Sequence, residues 1–250
     1  MNTRIDNRRN NINAEEWEVR VDLAAMFRLT HMMGWDDTVW NHITARTPGT
    51  EHTFFMHRMG LLYEEITASN LIKVDENGKV LEGPKDVNTA GFVIHSAVHL
   101  NHPKNKFVFH AHPPAALAAT SLKDEIPFLV QDSSMLYGKV GYHDWEGLSV
   151  NVNERHRIAK NLGDNKVLIM RNHGLLTVGE TAGEAFMNMY YAVRMCEVAV
   201  QAQGSGLKLD RGAKSLWKKS EKQYAAFSPG INEWPALKRR CEKTDPSYKE

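Results

Sequence analysis

The sequence predicts an α/β domain with a central mixed, largely antiparallel β-sheet flanked by helices, and three observations carry that expectation. Short apolar runs rich in Val, Ile, Phe and Leu recur along the chain as candidate strands. Longer stretches with apolar residues three and four apart lie between them as candidate helices. An Asn77-Gly78 pair separates Leu71–Asp75 from Lys79-Val80-Leu81, the pattern of a tight hairpin, so the front half reads as antiparallel or mixed.

In chain order, residues 1–14 read as a flexible polar arm with Arg4, Arg8 and Arg9 but no apolar stretch of a secretory signal. Glu15 to Met33 places Trp17, Val21, Ala24, Ala25, Leu29 and Met32 on one stripe, a helix closed by Gly34. Val39–Ala45, Thr53–His57 and Leu71–Asp75 follow as strands. Thr89–His102 is a helix stopped by Pro103, and Pro113-Pro114 open another over Ala115–Leu122. Ile126–Val130 reads as a short strand and Arg155–Leu162 as a helix ended by Gly163. The apolar run that ends at His173 turns at Gly174 into Leu175–Val178. Thr181-Ala182-Gly183-Glu184 has the capping-box pattern and opens a long helix to about Gln203. Residues 15–204 contain no repeat or linker and read as one domain. Beyond them lies a charged C-terminal extension, 205–250, with a short helix near Ser220–Phe227. Its large aromatics Trp217, Tyr224, Phe227 and Trp234 suggest docking against something.

Composition excludes several classes. Hydrophobic content of 42% and charged content of 24% are those of an ordinary globular chain. Lys plus Arg exceed Asp plus Glu by 31 − 30 = 1, so no strong field recruits nucleic acid or an anionic membrane surface. No apolar stretch approaches the ~20 residues that span a bilayer. Cys196 and Cys241 show no CxxC or pairing pattern, and reduced thiols in a cytoplasmic protein are expected.

The most informative feature is His110 and His112 at the end of Lys106-Phe107-Val108-Phe109-His110-Ala111-His112. Residues two apart in a strand share a face, with Cα atoms roughly 6.5 Å apart, so both imidazoles can reach one ion. His173 closes a second apolar run, and two strands that deliver histidine at their carboxyl ends describe an open α/β site. Three neutral imidazoles suit Zn²⁺, Mn²⁺ or Fe²⁺ and leave coordination positions free. A half-exposed polar pair is the bland alternative for the His-x-His alone.

Taken in order, several motifs resemble the class II aldolase/adducin family from about Glu15 to Gln203. They are Gly34 with Trp40-Asn41-His42-Ile43-Thr44, then Tyr63-Glu64-Glu65-Ile66-Thr67, His110-Ala111-His112 and Arg171-Asn172-His173-Gly174-Leu175. Gly141-Tyr142-His143-Asp144 and Lys160-Asn161-Leu162-Gly163 are similar to its adducin-like branch. The resemblance implies a single three-layer domain and His110, His112 and His173 as ligands of one divalent ion, Zn²⁺ first with Mn²⁺ or Fe²⁺ as alternatives. It also implies a small-molecule substrate and a homotetramer with the pocket between subunits, partly covered by the C-terminal segment.

The departures from that pattern redirect the chemistry. The glutamate that serves the sugar-phosphate aldolases as acid/base falls, counted without gaps, on Gly91. Met59 before Gly60 and Ala90 after Thr89 erode their hydroxyl-rich phosphate cradle, and their proton-donating tyrosine falls on Gln131. The candidates are therefore Gln131, Asn41 and His42 for catalysis, and Arg58 and Thr89 for substrate binding. Each has a plainer reading: Asn41 and His42 as satisfied turn or sheet-edge residues, Gln131 and Arg58 as solvated surface. His95 and His99, one helical turn apart, read as packing or supporting residues, and His143-Asp144 as a structural pair near a strand end. The expected function is a divalent-metal-dependent lyase on a small carboxylate or carbonyl substrate, a decarboxylase or non-phosphate aldolase using enolate-type chemistry. Decarboxylation fits because loss of CO₂ requires an electron sink but no base for a carbon-bound proton. Two alternatives stand beside it: a non-catalytic adducin-like interaction module, and a non-haem Fe(II) oxygenase on the same scaffold. The extension of about 46 residues after Gly204, without a long basic tail, favours the enzyme.

Overall fold

The computed structural model describes residues 12–49 and 52–250, so the expected N-terminal arm lies almost wholly outside the described residues. Eight strands form one sheet: β1 His42–Arg46, β2 Thr53–Met56, β3 Ile72–Asp75, β4 Val80–Glu82, β5 Phe107–Ala111, β6 Val140–His143, β7 Val167–Met170 and β8 Gly174–Gly179. Their order is β4-β3-β2-β1-β5-β8-β7-β6. Every neighbouring pair is antiparallel except β6 with β7. That pair is joined through a helix, the crossover that parallel strands require.

Seven helices complete the described chain: α1 Ala14–Met32, α2 Thr89–Asn101, α3 Pro114–Thr120, α4 Glu154–Leu162, α5 Ala182–Gly204, α6 Lys214–Tyr224 and α7 Glu233–Thr244. Asn13 caps α1 by accepting from the Glu15 N–H, and Gly34 takes the left-handed conformation just after it at φ 68°. Thr181 caps α5 by accepting from the Glu184 N–H, while Glu184 reaches back to the Glu180 N–H rather than to the cap residue itself. The period of two along β5 separates two cores. Phe107, Phe109 and Ala111 face the side of α1 and α5, among Leu23, Phe27, Phe186 and Met189. Val108 faces the other side, with Ile94 and Val98 of α2 and Ile158 and Leu162 of α4. His110 and His112 share the parity of Val108 and lie on that second face.

Two expected strands are corrected. Ile126–Val130 is irregular and runs into a 3-10 turn over Gln131–Leu136; Pro127 lacks the N–H that a ladder needs. Residues 39–41 belong to a turn before β1, in which Thr38 and Asn41 hold φ of 54° and 63°. The extension contains more helix than expected. Trp234, Cys241 and Tyr248 are buried in the main core, and the N–H groups of Ala68 and Ser69 donate to the carbonyls of Tyr248 and Glu250. Phe227 does not dock; it is 66% exposed. Both cysteines are free. No helix among the described residues is long and apolar enough to cross a membrane.

Candidate metal centre

β5 and β7 both run antiparallel to β8, which lies between them, so their carboxyl ends open on the same edge of the sheet. His110 is in β5, His112 is the first residue beyond it, and His173 sits in the turn between β7 and β8. Their ligand atoms all lie within 4.8 Å of one another. The ring centroids form a near-equilateral triangle of 4.7, 4.7 and 5.0 Å. Local backbone makes this convergence possible. Asn172 holds φ 54°, a left-handed position that asparagine tolerates, and so reverses the chain before His173. A side chain on Gly174 would begin 2.6 Å from Cδ2 of His112 and 2.8 Å from the Ala111 carbonyl oxygen, so glycine lets the His112 ring lie against the turn.

The far nitrogens fix the tautomers. His110 Nδ1 is 2.9 Å from the Leu175 carbonyl oxygen and must donate to it. His112 Nδ1 is 3.3 Å from Asp37 Oδ2 and donates to that carboxylate. Each ring then points an Nε2 lone pair inward, and the two Nε2 atoms are 2.9 Å apart. Facing lone pairs repel unless a cation stands between them, and an outward N–H bonded to a carbonyl or carboxylate is the usual support of a metal-bound imidazole. A tetrahedral ion with bonds of about 2.0–2.1 Å would separate neighbouring nitrogens by ~3.3 Å, a few tenths of an ångström more than the pair has. Burial, then the neighbouring imidazoles, holds His110 well below the ordinary histidine range, and the same causes lower His173 to about 4. Burial also lowers His112, opposed by Asp37. All three are neutral at pH 7, as ligation requires. The donor set fits a divalent transition metal.

His42 lies directly opposite His110 in the β1–β5 register and stacks on it, centroids 4.8 Å apart and planes at 21°. A side chain on Gly91 would begin 2.7 Å from His42 Cδ2, so the imidazole fills the space that a residue-91 side chain would enter. Asn41, beside it, is 2% exposed, and neither its amide oxygen nor its amide nitrogen has a hydrogen-bond partner. The remaining candidates are held elsewhere. Gln131 is exposed at the start of the 3-10 turn and donates to the Tyr224 hydroxyl of α6 at 3.3 Å. Arg58 is half exposed and paired with Asp86 at 2.8 Å. Thr89 is exposed at the first position of α2. His143 and Asp144 do not pair with each other: His143 meets Glu154 and Asn161, and Asp144 approaches Arg171.

Sequence reasoning missed Asp37, which no spacing ties to His112, and a buried chain around Thr44. His42 Nδ1 is 2.7 Å from His95 Nε2, and Thr44 Oγ1 lies 2.6 Å from His95 Nδ1 and 2.8 Å from His99 Nε2. The signal was present: residues 42 and 44 share a strand face, and residues 95 and 99 share a helix face. His57 is also fully buried here, with neither ring nitrogen partnered, and burial lowers it to about 4.

A mixed α/β sheet that gathers three neutral imidazoles at one edge, their outer nitrogens braced and their inner ones converging, defines a protein with a candidate mononuclear metal centre. The chain belongs to the family described as Class II Aldolase and Adducin N-terminal domain, whose model matches residues 21–200. It is 38% identical over 242 residues to a Caulobacter vibrioides protein provisionally named aldolase class 2 protein, covering 95% of this chain and 94% of that one. It is 39% identical over 191 residues to alpha-adducin of Rattus norvegicus, covering 75% of this chain but 26% of the adducin. The crystal structure of an aldolase II superfamily protein from Pseudomonas syringae superposes with a TM-score of 0.92 at 37% identity, covering 97% of this chain and 99% of that one.

Proposed function

We propose that the protein is a divalent-metal-dependent carbon–carbon lyase acting on a small carboxylate or carbonyl compound, as a decarboxylase or as an aldolase for a substrate without phosphate. The observation that carries this reading is the pair of inward Nε2 lone pairs on His110 and His112, 2.9 Å apart and flanked by His173. These three residues would hold the ion. When bound, the ion supplies Lewis-acid polarisation of a coordinated oxygen, and with it an electron sink.

The chain's own residues narrow the chemistry. Helix α2 carries no carboxylate, and the His42 ring occupies the space beside Gly91, so no side chain from that helix is available as a carboxylate base. This supports decarboxylation, in which CO₂ leaves without removal of a carbon-bound proton. The buried, unpartnered amide of Asn41 would orient a polar substrate through one acceptor and its donors. An uncharged, largely buried histidine wall keeps bulk water from the reacting oxygen and strengthens each hydrogen bond made there. A homo-oligomeric state, residues 205–250 as an extension over the pocket, and a cytoplasmic setting belong to the same proposal.

The test begins with metal analysis of untagged protein, native and reconstituted with Zn²⁺, Mn²⁺ or Fe²⁺. About one equivalent is expected, lost in His110→Ala/His173→Ala while the circular dichroism spectrum is retained. A screen of hydroxy-, keto- and aromatic carboxylates then follows CO₂ or aldehyde release. Full metal occupancy in the double variant overturns the site. Metal binding without turnover of any class supports the adducin-like module, and turnover that requires O₂ and Fe²⁺ supports the oxygenase.

A further inference from the structure

We propose that Thr44 is a positioning residue that, through His95, locks His42 in its Nε2–H tautomer, making His42 a hydrogen-bond donor beside the histidine triad and not a fourth ligand. His42, Thr44, His95 and His99 are all buried, from 0 to 4% exposed, and linked in series by contacts of 2.7, 2.6 and 2.8 Å. The three imidazoles are enclosed, and their ring hydrogen bonds in this chain are with one another and with a neutral hydroxyl, so burial without a counter-ion keeps each ring neutral with a single proton.

The Thr44 hydroxyl owns one proton, and its hydrogen-bond contacts among the described residues are two ring nitrogens; accepting from both would strand that buried proton without an acceptor, so it donates to one and accepts from the other. Two arrangements make all three contacts and also use the hydroxyl proton. In the first, Thr44 donates to His99 Nε2, His95 Nδ1–H donates to Thr44, and His42 Nδ1–H donates to His95 Nε2. All three rings then carry their proton on Nδ1, and His42 Nε2 is a bare lone pair. In the second, His99 Nε2–H donates to Thr44, Thr44 donates to His95 Nδ1, and His95 Nε2–H donates to His42 Nδ1. All three rings then carry their proton on Nε2.

Two facts select the second. His99 Nδ1 is buried and has no partner, so the first arrangement would strand an N–H donor there, an orphan that folded proteins rarely leave. The Nε2–H form is also the intrinsically preferred tautomer of neutral histidine, and the second arrangement uses it three times. His42 thus takes the tautomer opposite to that of His110, on which it stacks: one ring offers a proton where the other offers a lone pair. An Nε2–H cannot ligate, whereas it can donate to an oxygen held at the centre. The place of His42 beside a metal centre rests on the proposed function; its tautomer does not.

The experiment is ¹⁵N NMR of ring nitrogens in histidine-labelled protein, metal-free and again with Zn²⁺. Expected is a pyrrole-type Nε2 and a pyridine-type Nδ1 for His42, unchanged when Zn²⁺ is added. Thr44→Val should release the lock and give a mixture of tautomers, and Thr44→Ser should restore the single form. A pyrrole-type Nδ1 on His42 in the unaltered protein, or a His42 Nε2 that shifts as a Zn²⁺ ligand, overturns the proposal even if no variant folds. A protein that shows the expected tautomer but takes up no metal would defeat the metal-centre reading while leaving the Thr44 lock in place.

Discussion

Gly91 and His42 compete for one volume. A Cβ at residue 91 would meet the His42 ring at 2.7 and 2.8 Å, distances that force one of them to move. Gly91→Ala should therefore cost about 1–3 kcal/mol, the usual range for overpacking a core. Combining it with His42→Ala should relieve that cost, leaving a coupling of at least about 1 kcal/mol in a double-mutant cycle measured by urea denaturation. Strict additivity would show that the two residues do not share the space. At this scale the convergence of His110, His112 and His173 was legible because the first two alternate onto one strand face and the third closes a second apolar run. Asp37 was not legible: its partner His112 is 75 residues away, and only the folded loop brings the carboxylate to 3.3 Å.

At the level of elements, hydrophobic periodicity and turn signals located α1 to α5 and seven of the eight strands, all but β6, within about three residues. It failed where one residue overrode the pattern, as Pro127 does in the apolar run 126–130. Helix α6 shows the opposite failure, an element with a pattern but little burial. None of its residues is buried. It is held by Ser220 on Ser134 at 2.6 Å, Lys139 on Glu221 at 3.0 Å and the Gln131–Tyr224 contact. Single polar contacts of this kind, part-buried or part-exposed, contribute about 0–1.5 kcal/mol each, far less than the buried stripe of α5. Amide exchange followed by mass spectrometry should therefore find α6 opening at least about a hundredfold more readily than α5. Equal protection in the two helices would contradict this.

For the molecule as a whole, the buried histidines make stability depend on pH in one direction. Burial lowers His57 to about 4 and His99 to about 3, from an unfolded value of 6.5. Above 6.5 both states are neutral at these sites and stability does not change. Between 6.5 and the lowered values only the unfolded chain binds the protons, so stability falls as the solution is acidified and levels off once the folded rings protonate too. For His57 the full effect is about 3 kcal/mol. Thermal melts of metal-free protein should fall steadily from pH 6.5 towards 4, and His57→Phe, which keeps the ring packed against Phe27 and Tyr63, should flatten that slope by about one proton. A melting temperature independent of pH over this range would mean that the rings are not sequestered. The chain by itself determined the α/β class, most element positions and three histidines capable of meeting, because hydrophobic period and turn chemistry are local properties written in consecutive residues. Only the tertiary structure decided that His42 fills the space beside Gly91, that Thr44 joins strand to helix through His95 and His99, and that Gln131 is bound to α6 and Arg58 to Asp86. Those outcomes depend on register and packing between segments distant in sequence, and no short-range pattern encodes them.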